Sequence, residues 1–272
     1  MILSHQQRQA YQTEGYLKYG RLLSPTELGL LREHYIRVYD DFRVGGKLHN
    51  VAVQKDNRPG APTSKPENLQ IHYMCHYDEV ILSFLYSKKL LDIVQDLIGP
   101  NIRLFFEQGF WKPPFHGAPT NWHQDNGYFK LLNSSDGVGC WLALDDATKE
   151  NGCMWALPGS HRETYTHYRD MTTDHLLRTD VAEDQAVAVE LEAGECMFFE
   201  FGTLHQTKSN TTNTDRGALA IHFSKTEAAS LELTWLEREK KFTPILRGTG
   251  CTDGFEEFGL HLAGRWEKQF VS

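Results

Sequence analysis

The chain has 272 residues, of which 40% are hydrophobic, and this length can bury a sizeable core within a single domain. It carries 28 Lys and Arg against 36 Asp and Glu, a net charge of -8, without a basic cluster that could follow a phosphate backbone, so we expect no nucleic-acid partner. No apolar stretch approaches the roughly 20 residues of a membrane-spanning helix, and residues 1–20 do not resemble a signal peptide. We therefore expect a cytoplasmic protein that does not bind membranes.

The first hundred residues are predicted to be mainly helical. Ser24 is followed by Pro25 and, three residues after the serine, by Glu27, which is the pattern of a capping box, and apolar residues then recur at helical spacing to about Phe42. A second helix is predicted to end at the Gly-Pro pair at positions 99–100, because proline cannot continue a helix. Between these helices, residues 45–68 are rich in Gly, Pro, Asn, Lys and Ser, a composition typical of a mobile surface loop and thus a first candidate lid.

From residue 101 onward the pattern changes to short strands separated by turn residues, as in an all-β sandwich or barrel. The predicted strands cover residues 102–111, 138–144, 187–191, 196–201 and 217–224. Residues 160–185 form a polar segment, long enough to be a second lid, and residues 226–272 are expected to pack as helix and loop on the outside of the barrel. The sequence thus predicts one domain over residues 1–272, with a helical part over 1–100 and a core over 101–225.

Two histidines and one aspartate form the sharpest chemical signal in the sequence. His123 and Asp125 lie two residues apart, and in a strand residues two apart point to the same side, so both can reach one ion. Adding His205 gives two imidazoles and one carboxylate on one face of a metal, which leaves positions open for a chelating cosubstrate and O₂ and suits Fe(II). Because the chain has 13 histidines, the His-x-Asp pair alone is weak, and the distal His205 makes the pattern distinctive.

Arg216 begins an alternating segment eleven residues after His205. Its even positions share one face, and the small side chains of Ala218 and Ala220 leave room beside the guanidinium for a bound molecule. An arginine there can hold a carboxylate with two parallel hydrogen bonds, a geometry that lysine lacks. The alternative is a surface arginine paired with an acid such as Asp215.

Several motifs in order resemble those of the phytanoyl-CoA dioxygenase family of Fe(II)/2-oxoglutarate oxygenases, over residues 7–224. The matching motifs are Gly99-Pro100-Asn101-Ile102, Lys112-Pro113-Pro114, Trp122-His123-Gln124-Asp125, Trp141 with Leu144-Asp145-Asp146-Ala147-Thr148, Asn151-Gly152-Cys153, Leu157-Pro158-Gly159-Ser160-His161, Gly194-Glu195, and His205 with Arg216. The resemblance implies a mainly β fold, the double-stranded β-helix, which is a jelly-roll or cupin-like barrel with flanking α-helices. It places the metal at the open end of that barrel.

The resemblance also implies cofactors and their ligands. His123, Asp125 and His205 match the iron ligands of the family, and Arg216 matches the residue that binds the distal carboxylate of 2-oxoglutarate. Fe(II), 2-oxoglutarate and O₂ are therefore the expected cofactor and cosubstrates.

Three further positions match cosubstrate contacts of the family. Trp141 and Gln108, the latter as an amide, fall where such contacts occur. Gln70 stands in the region where the family has a lysine, so the chain departs from the family pattern there. Phe115, His116 and Phe129 flank the iron motif and are expected either to line the substrate pocket or to belong to the core.

The expected reaction is oxidation of a small-molecule metabolite of specialised metabolism. Hydroxylation is the default outcome, while cyclisation or desaturation would use the same residues. Asp125 argues against a halogenase, in which a small residue replaces the carboxylate so that chloride can bind the iron. Two other readings are a non-catalytic cupin-like binding protein, which the intact ligand set disfavours, and a protein hydroxylase, which would need an open groove. No obligate protein partner is expected.

Overall fold

The structure is a computed structural model and describes residues 1–52, 66–175, 177–231 and 243–271. Its helices are α1 His5–Glu14, α2 Pro25–Val44, α3 Glu79–Leu85, α4 Lys88–Ile98, α5 Asn126–Phe129, α6 Phe255–Phe258 and α7 Arg265–Lys268. Its strands are β1 Tyr16–Arg21, β2 His49–Asn50, β3 Leu69–His72, β4 Ile102–Lys112, β5 Gly137–Ala143, β6 Met154–Ala156, β7 Tyr168–Arg169, β8 Leu177–Arg178, β9 Val187–Val189, β10 Glu195–Glu200, β11 His205–Thr207, β12 Arg216–Lys225 and β13 Ile245–Arg247. None of the described helices is both long and apolar enough to cross a bilayer.

Both predicted N-terminal helices are confirmed. At the start of α2, the Ser24 hydroxyl accepts a hydrogen bond from the Glu27 backbone N–H at 3.3 Å, and the Glu27 carboxylate accepts one from the Ser24 N–H at 2.8 Å. This capping box satisfies backbone donors that the first helical turn leaves free. Tyr35 and Tyr39 on α2 and Leu90 on α4 are fully buried, because these helices cover one face of the main sheet.

Two antiparallel sheets form the core of the fold. The larger sheet has the strand order β1-β10-β5-β12-β4-β3-β2, with β13 paired to β4, and the smaller sheet has the order β11-β6-β9. The predicted strands correspond to β4, β5, β9, β10 and β12, with boundaries within about two residues. Two facing antiparallel sheets with helices on the outside form the expected double-stranded β-helix.

The side chains of β12 point alternately to the two faces of the larger sheet. Leu219 and Ile221 face the helices and join their hydrophobic core, whereas Ala218 and Ala220 face the smaller sheet and pack in the barrel interior with Trp141. Cross-strand neighbours point to the same side of a sheet, so β4 and β5 present matching interior faces. The predicted shared face of the even positions on β12 is confirmed.

A carboxyl group is buried on the helix side of β4. One oxygen of Glu107 accepts a hydrogen bond from the Cys75 backbone N–H at 3.1 Å, and the other has no hydrogen-bond partner. Burial raises the pKa of Glu107 to about 7. Its charged form therefore costs free energy in the folded state.

The two candidate lids and the tail differ in how far the structure describes them. Residues 53–65 of the first lid lie outside the described residues, and its described ends form β2 and the approach to β3. The second lid, residues 160–185, contains the hairpin of β7 and β8. In the tail, residues 232–242 lie outside the described part, and β13 adds a strand to the larger sheet, which the expectation of helix and loop omitted.

Candidate active site

A cavity of about 300 Å³ lies inside the barrel. His123, Asp125 and His205 line it together with Arg216, and further lining residues come from the described ends of the first lid and from the second lid. His123 and Arg216, which are more than ninety positions apart in the sequence, therefore line the same cavity. The predicted metal and cosubstrate residues are part of the same cavity wall.

The two histidines of the predicted iron site are held in one tautomer. Nδ1 of His123 lies 2.8 Å from the Asn121 carbonyl oxygen, and Nδ1 of His205 lies 2.9 Å from that of Thr203. A carbonyl oxygen only accepts, so Nδ1 carries the proton and Nε2 is left with a free lone pair. Each Nε2 lies 3.6 Å from Oδ1 of Asp125, and the three ligand atoms lie within 4.8 Å of one another.

The local backbone explains how neighbouring residues reach the same point. His123 and His205 exchange two backbone hydrogen bonds, of 3.1 and 3.0 Å, in a single antiparallel bridge. Asp125 has helical dihedrals, φ -56° and ψ -35°, at the start of α5, so the strand geometry expected at this residue is wrong. The intervening Gln124 points away and donates to the Gly202 carbonyl oxygen at 2.6 Å, which leaves the two ligands on one side.

The imidazole rings around Asp125 favour its ionised form. Burial by itself would raise the pKa of this carboxyl, but the neighbouring His222 and His205 hold it well below its ordinary value. Nε2 of His222 lies 3.2 Å from Oδ2 of Asp125 without hydrogen-bond alignment, so that buried oxygen has no hydrogen-bond partner. Burial, followed by the influence of His123, lowers the pKa of His205 to about 4, which keeps the ring neutral and able to bind a metal.

These observations test whether the site suits a divalent iron. Two imidazole nitrogens and one ionised carboxylate converge on one point, and a buried oxygen of Asp125 has an unused lone pair. Two histidines and one carboxylate on one face are the ligand set of non-haem Fe(II) oxygenases. The residues present therefore fit the ion that the ligand pattern implies.

Arg216 supplies a buried cation without an anion. Its side chain is 1% exposed, and Nε and Nη1 have no hydrogen-bond partner. The guanidinium lies 5.3 Å from the centre of the Trp141 ring. Burial lowers the pKa of Arg216 to about 10, which leaves it charged at neutral pH. The alternative pairing with Asp215 does not occur, since that carboxylate accepts instead from the indole N–H of Trp111 at 2.7 Å.

A second cation near Arg216 already has partners. Lys112 pairs with Arg216 across β4 and β12, and its ammonium donates to the Thr207 hydroxyl at 2.8 Å and to the Lys208 carbonyl oxygen. Burial, followed by repulsion from Arg216, lowers the pKa of Lys112 well below its ordinary range. A carboxylate entering the cavity would therefore find its free donors on Arg216.

The other predicted cosubstrate contacts lie in the cavity, and two of the three predicted substrate residues do not. Trp141, Gln108 and Gln70 line the cavity, as does Phe129, and the two glutamines are hydrogen-bonded to each other. Phe115 is 65% exposed and has φ +58°, because the chain turns outward after Pro113 and Pro114. His116 is exposed as well, so pocket lining was the wrong prediction for both.

Several cavity residues were not found from the sequence. The Asp174 N–H donates to the Val51 carbonyl oxygen at 3.1 Å, and the Asp174 carboxylate lies 3.1 Å from Nε2 of His49, so the two lid segments meet. His175 follows, with its ring centre 4.5 Å from that of His123. These segments show neither helical nor strand periodicity, so the sequence carries no signal that would have paired them.

Solved structures share this fold. EvdO2 from Micromonospora carbonacea var. aurantiaca, in complex with 2-oxoglutarate, is 27% identical, with a TM-score of 0.67 over 85% of this chain and 94% of its own. The 2-oxoglutarate-dependent carbocyclase SnoK from nogalamycin biosynthesis is 23% identical, with a TM-score of 0.68 over 87% of this chain and 91% of its own, which is evidence for the fold alone.

Related sequences point to a family. Phytanoyl-CoA dioxygenase 1 of Oryza sativa subsp. japonica is 24% identical over 89% of this chain and 97% of its own length. A probable alpha-ketoglutarate-dependent hypophosphite dioxygenase of Stutzerimonas stutzeri is 26% identical over 84% of this chain and 80% of its own. The model of the family described as Phytanoyl-CoA dioxygenase (PhyH) matches residues 11–218. Since that match spans most of the chain, the protein belongs to the phytanoyl-CoA dioxygenase family of Fe(II)/2-oxoglutarate-dependent oxygenases.

Proposed function

We propose that this protein oxidises a small molecule, with hydroxylation as the default outcome. His123, Asp125 and His205 would hold Fe(II), and Arg216 would bind the distal carboxylate of 2-oxoglutarate beside Trp141. Cyclisation and desaturation would require the same residues, and they differ from hydroxylation in how the substrate is oriented.

One observation carries this proposal. The Nε2 atoms of His123 and His205 and a carboxylate oxygen of Asp125 converge in the same cavity as the unpaired guanidinium of Arg216. A buried arginine without a partner is costly, and a bidentate carboxylate would satisfy it. The EvdO2 complex with 2-oxoglutarate supports a 2-oxo acid as that partner.

Iron held by these residues would, with 2-oxoglutarate as the co-reductant, activate O₂ as the oxidant of an unactivated C–H bond. The protein's own residues orient the metal ligands and the cosubstrate. The carbonyl oxygens of Asn121 and Thr203 fix the imidazole rings, and the guanidinium of Arg216 sets the orientation of the dicarboxylate. Phe129 and Trp141 add apolar walls that exclude water from the reacting atoms.

The size and enclosure of the cavity favour a small substrate over a protein chain. A volume of about 300 Å³ is within the range of small-molecule sites. The contact between Asp174 and Val51 joins the two lid segments, whereas a protein hydroxylase would need an open groove for a peptide.

The test is anaerobic addition of Fe(II) and 2-oxoglutarate, followed by O₂. We expect a visible charge-transfer band from the chelated keto acid and, after O₂, release of succinate without added substrate. The Asp125→Ala variant should show neither. If folded, iron-loaded wild-type protein gives no band, the proposed cosubstrate site is wrong. A band without succinate release under O₂ would favour a non-catalytic binding protein.

A further inference from the structure

Buried polar atoms without hydrogen-bond partners indicate where a ligand would bind in the cavity. Four lining residues of the described chain have such atoms, and these are Asn68, Asp125, Arg216 and His222. In the proposed function, the iron uses Asp125 and the dicarboxylate uses Arg216. The ring of His222 is surrounded by three phenylalanine rings. The side-chain amide of Asn68 is left, and neither cofactor accounts for it.

Hydrogen bonds fix the backbone of Asn68, whereas its side-chain amide has no hydrogen-bond partner. Its backbone N–H donates to the Asn50 side-chain oxygen at 3.0 Å, and its carbonyl oxygen accepts from the Val51 N–H at 3.0 Å. The residue is 1% exposed, and both Nδ2 and Oδ1 lack a hydrogen-bond partner. Burial of an amide with both ends unpaired is unfavourable, so its place in the cavity wall points to a ligand that pairs with it.

Neighbouring polar side chains in the cavity already pair with one another. The pairs are Gln70 with Gln108, His49 with Asp174, and Tyr128 with His175. Each of these side chains has at least one hydrogen-bond partner within the cavity wall. Asn68 differs from them because its side-chain donor and acceptor are both buried and both lack a hydrogen-bond partner.

We propose that Asn68 determines substrate specificity by binding a neutral amide or hydroxyl group of the primary substrate. This inference rests on the proposed function. Ionised 2-oxoglutarate has only acceptors and cannot satisfy Oδ1, which needs a donor. Among the described lining residues Arg216 is the sole lysine or arginine, so an anionic group on the substrate would lack a cation once 2-oxoglutarate is bound. The primary substrate therefore presents an uncharged donor and acceptor at this position.

Calorimetry with three matched probes tests the proposal on protein loaded with 2-oxoglutarate and Zn(II), a redox-inert substitute for iron. The probes are cyclohexanecarboxamide, which has a donor and an acceptor, methyl cyclohexanecarboxylate, which has only acceptors, and the cyclohexanecarboxylate anion. We expect wild-type protein to bind the carboxamide about tenfold more tightly than the ester, as one additional well-formed hydrogen bond allows. The anion should bind more weakly than the carboxamide.

Two variants and one control complete the experiment. Asn68→Leu should lose the preference for the carboxamide and should bind 2-oxoglutarate like wild type. The isosteric Asn68→Asp retains an oxygen that accepts from the carboxamide N–H, so it should keep the preference for the carboxamide over the ester. Asn133→Leu makes the same change at an exposed position and should keep the preference.

Each possible failure has a distinct meaning. Equal affinity of wild type for the carboxamide and the ester would overturn the proposal, as would an unchanged preference in Asn68→Leu. A weaker titration by 2-oxoglutarate in Asn68→Leu would assign Asn68 to the cosubstrate and overturn its role in substrate specificity. Failure of wild type itself to bind 2-oxoglutarate would instead count against the proposed function.

Discussion

Arg216→Met is expected to stabilise the protein without 2-oxoglutarate and to remove most of the stabilisation that 2-oxoglutarate gives. The wild-type guanidinium is buried, charged and unpaired, which opposes folding until an anion binds. Methionine retains an unbranched apolar side chain that can pack against Trp141 and removes the charge. One substitution should therefore raise the stability without 2-oxoglutarate and reduce the further stabilisation that 2-oxoglutarate gives.

The magnitude follows from the pKa of Arg216. Burial lowers it from 12.5 to about 10, a difference of 2.5. At about 1.36 kcal/mol for each pKa unit, folding with this charge at neutral pH costs about 3 kcal/mol, which sets the upper limit of the gain in Arg216→Met. In wild type, 2-oxoglutarate at a hundred times its Kd should add about 2.7 kcal/mol. Loss of the buried ion pair should weaken binding by roughly 30-fold or more, so the variant should gain little.

Urea unfolding of the Zn(II)-loaded proteins, with and without 2-oxoglutarate, measures both effects. Arg43→Met is a suitable control, because Arg43 lies near the end of α2 with a side chain 54% exposed, and its free energy of unfolding should change little. The reasoning is refuted if Arg216→Met is less stable than wild type without 2-oxoglutarate and still gains stability from it to the same extent.

Two further predictions concern the metal and pH. His123→Ala and His205→Ala are each expected to lose tight Fe(II) binding, because the two remaining ligands hold a divalent ion poorly. The control His5→Ala, at an exposed histidine, should retain iron binding. Stoichiometric iron in either site variant by metal analysis would contradict the assignment. Glu107→Gln is expected to be more stable than wild type by about 3 kcal/mol above pH 7 and no more stable below pH 4.5. Because the pKa of Glu107 is raised to about 7 in the folded protein, wild type loses this free energy of unfolding as the pH rises between these two values. A stability difference between Glu107→Gln and wild type that is independent of pH in chemical denaturation would show that the Glu107 carboxyl is not the cause.

The elements with strong local patterns could be predicted from the sequence. The capping box at Ser24 and the helical spacing after it located α2, and alternation located β12 with Ala218 and Ala220 on its interior face. In these cases the signal and the structure have the same cause, since a chain segment with one apolar face buries that face. The His-x-Asp pair and the distal His205 likewise indicated a metal site, because few ligand sets suit Fe(II).

The same sequence did not reveal the rest of the cavity wall. His49, Asn68 and Asp174 come from segments without periodicity, and they meet only because β2 pairs with β3 and the second lid contacts Val51. Phe115 was misplaced for the converse reason, since closeness in sequence to the iron motif suggested the pocket while a backbone turn with positive φ directs the ring outward.

Local sequence therefore determined the helices and the strand faces and gave the prediction of the metal ligands, each of which depends on residues within a few positions or on ligand chemistry. Tertiary structure alone decided which polar groups of the cavity are paired and which, such as Asn68, are left for a ligand. Hydrogen-bond satisfaction depends on partners that are distant in the chain, and burial makes each unpaired group costly only after the fold has removed it from water.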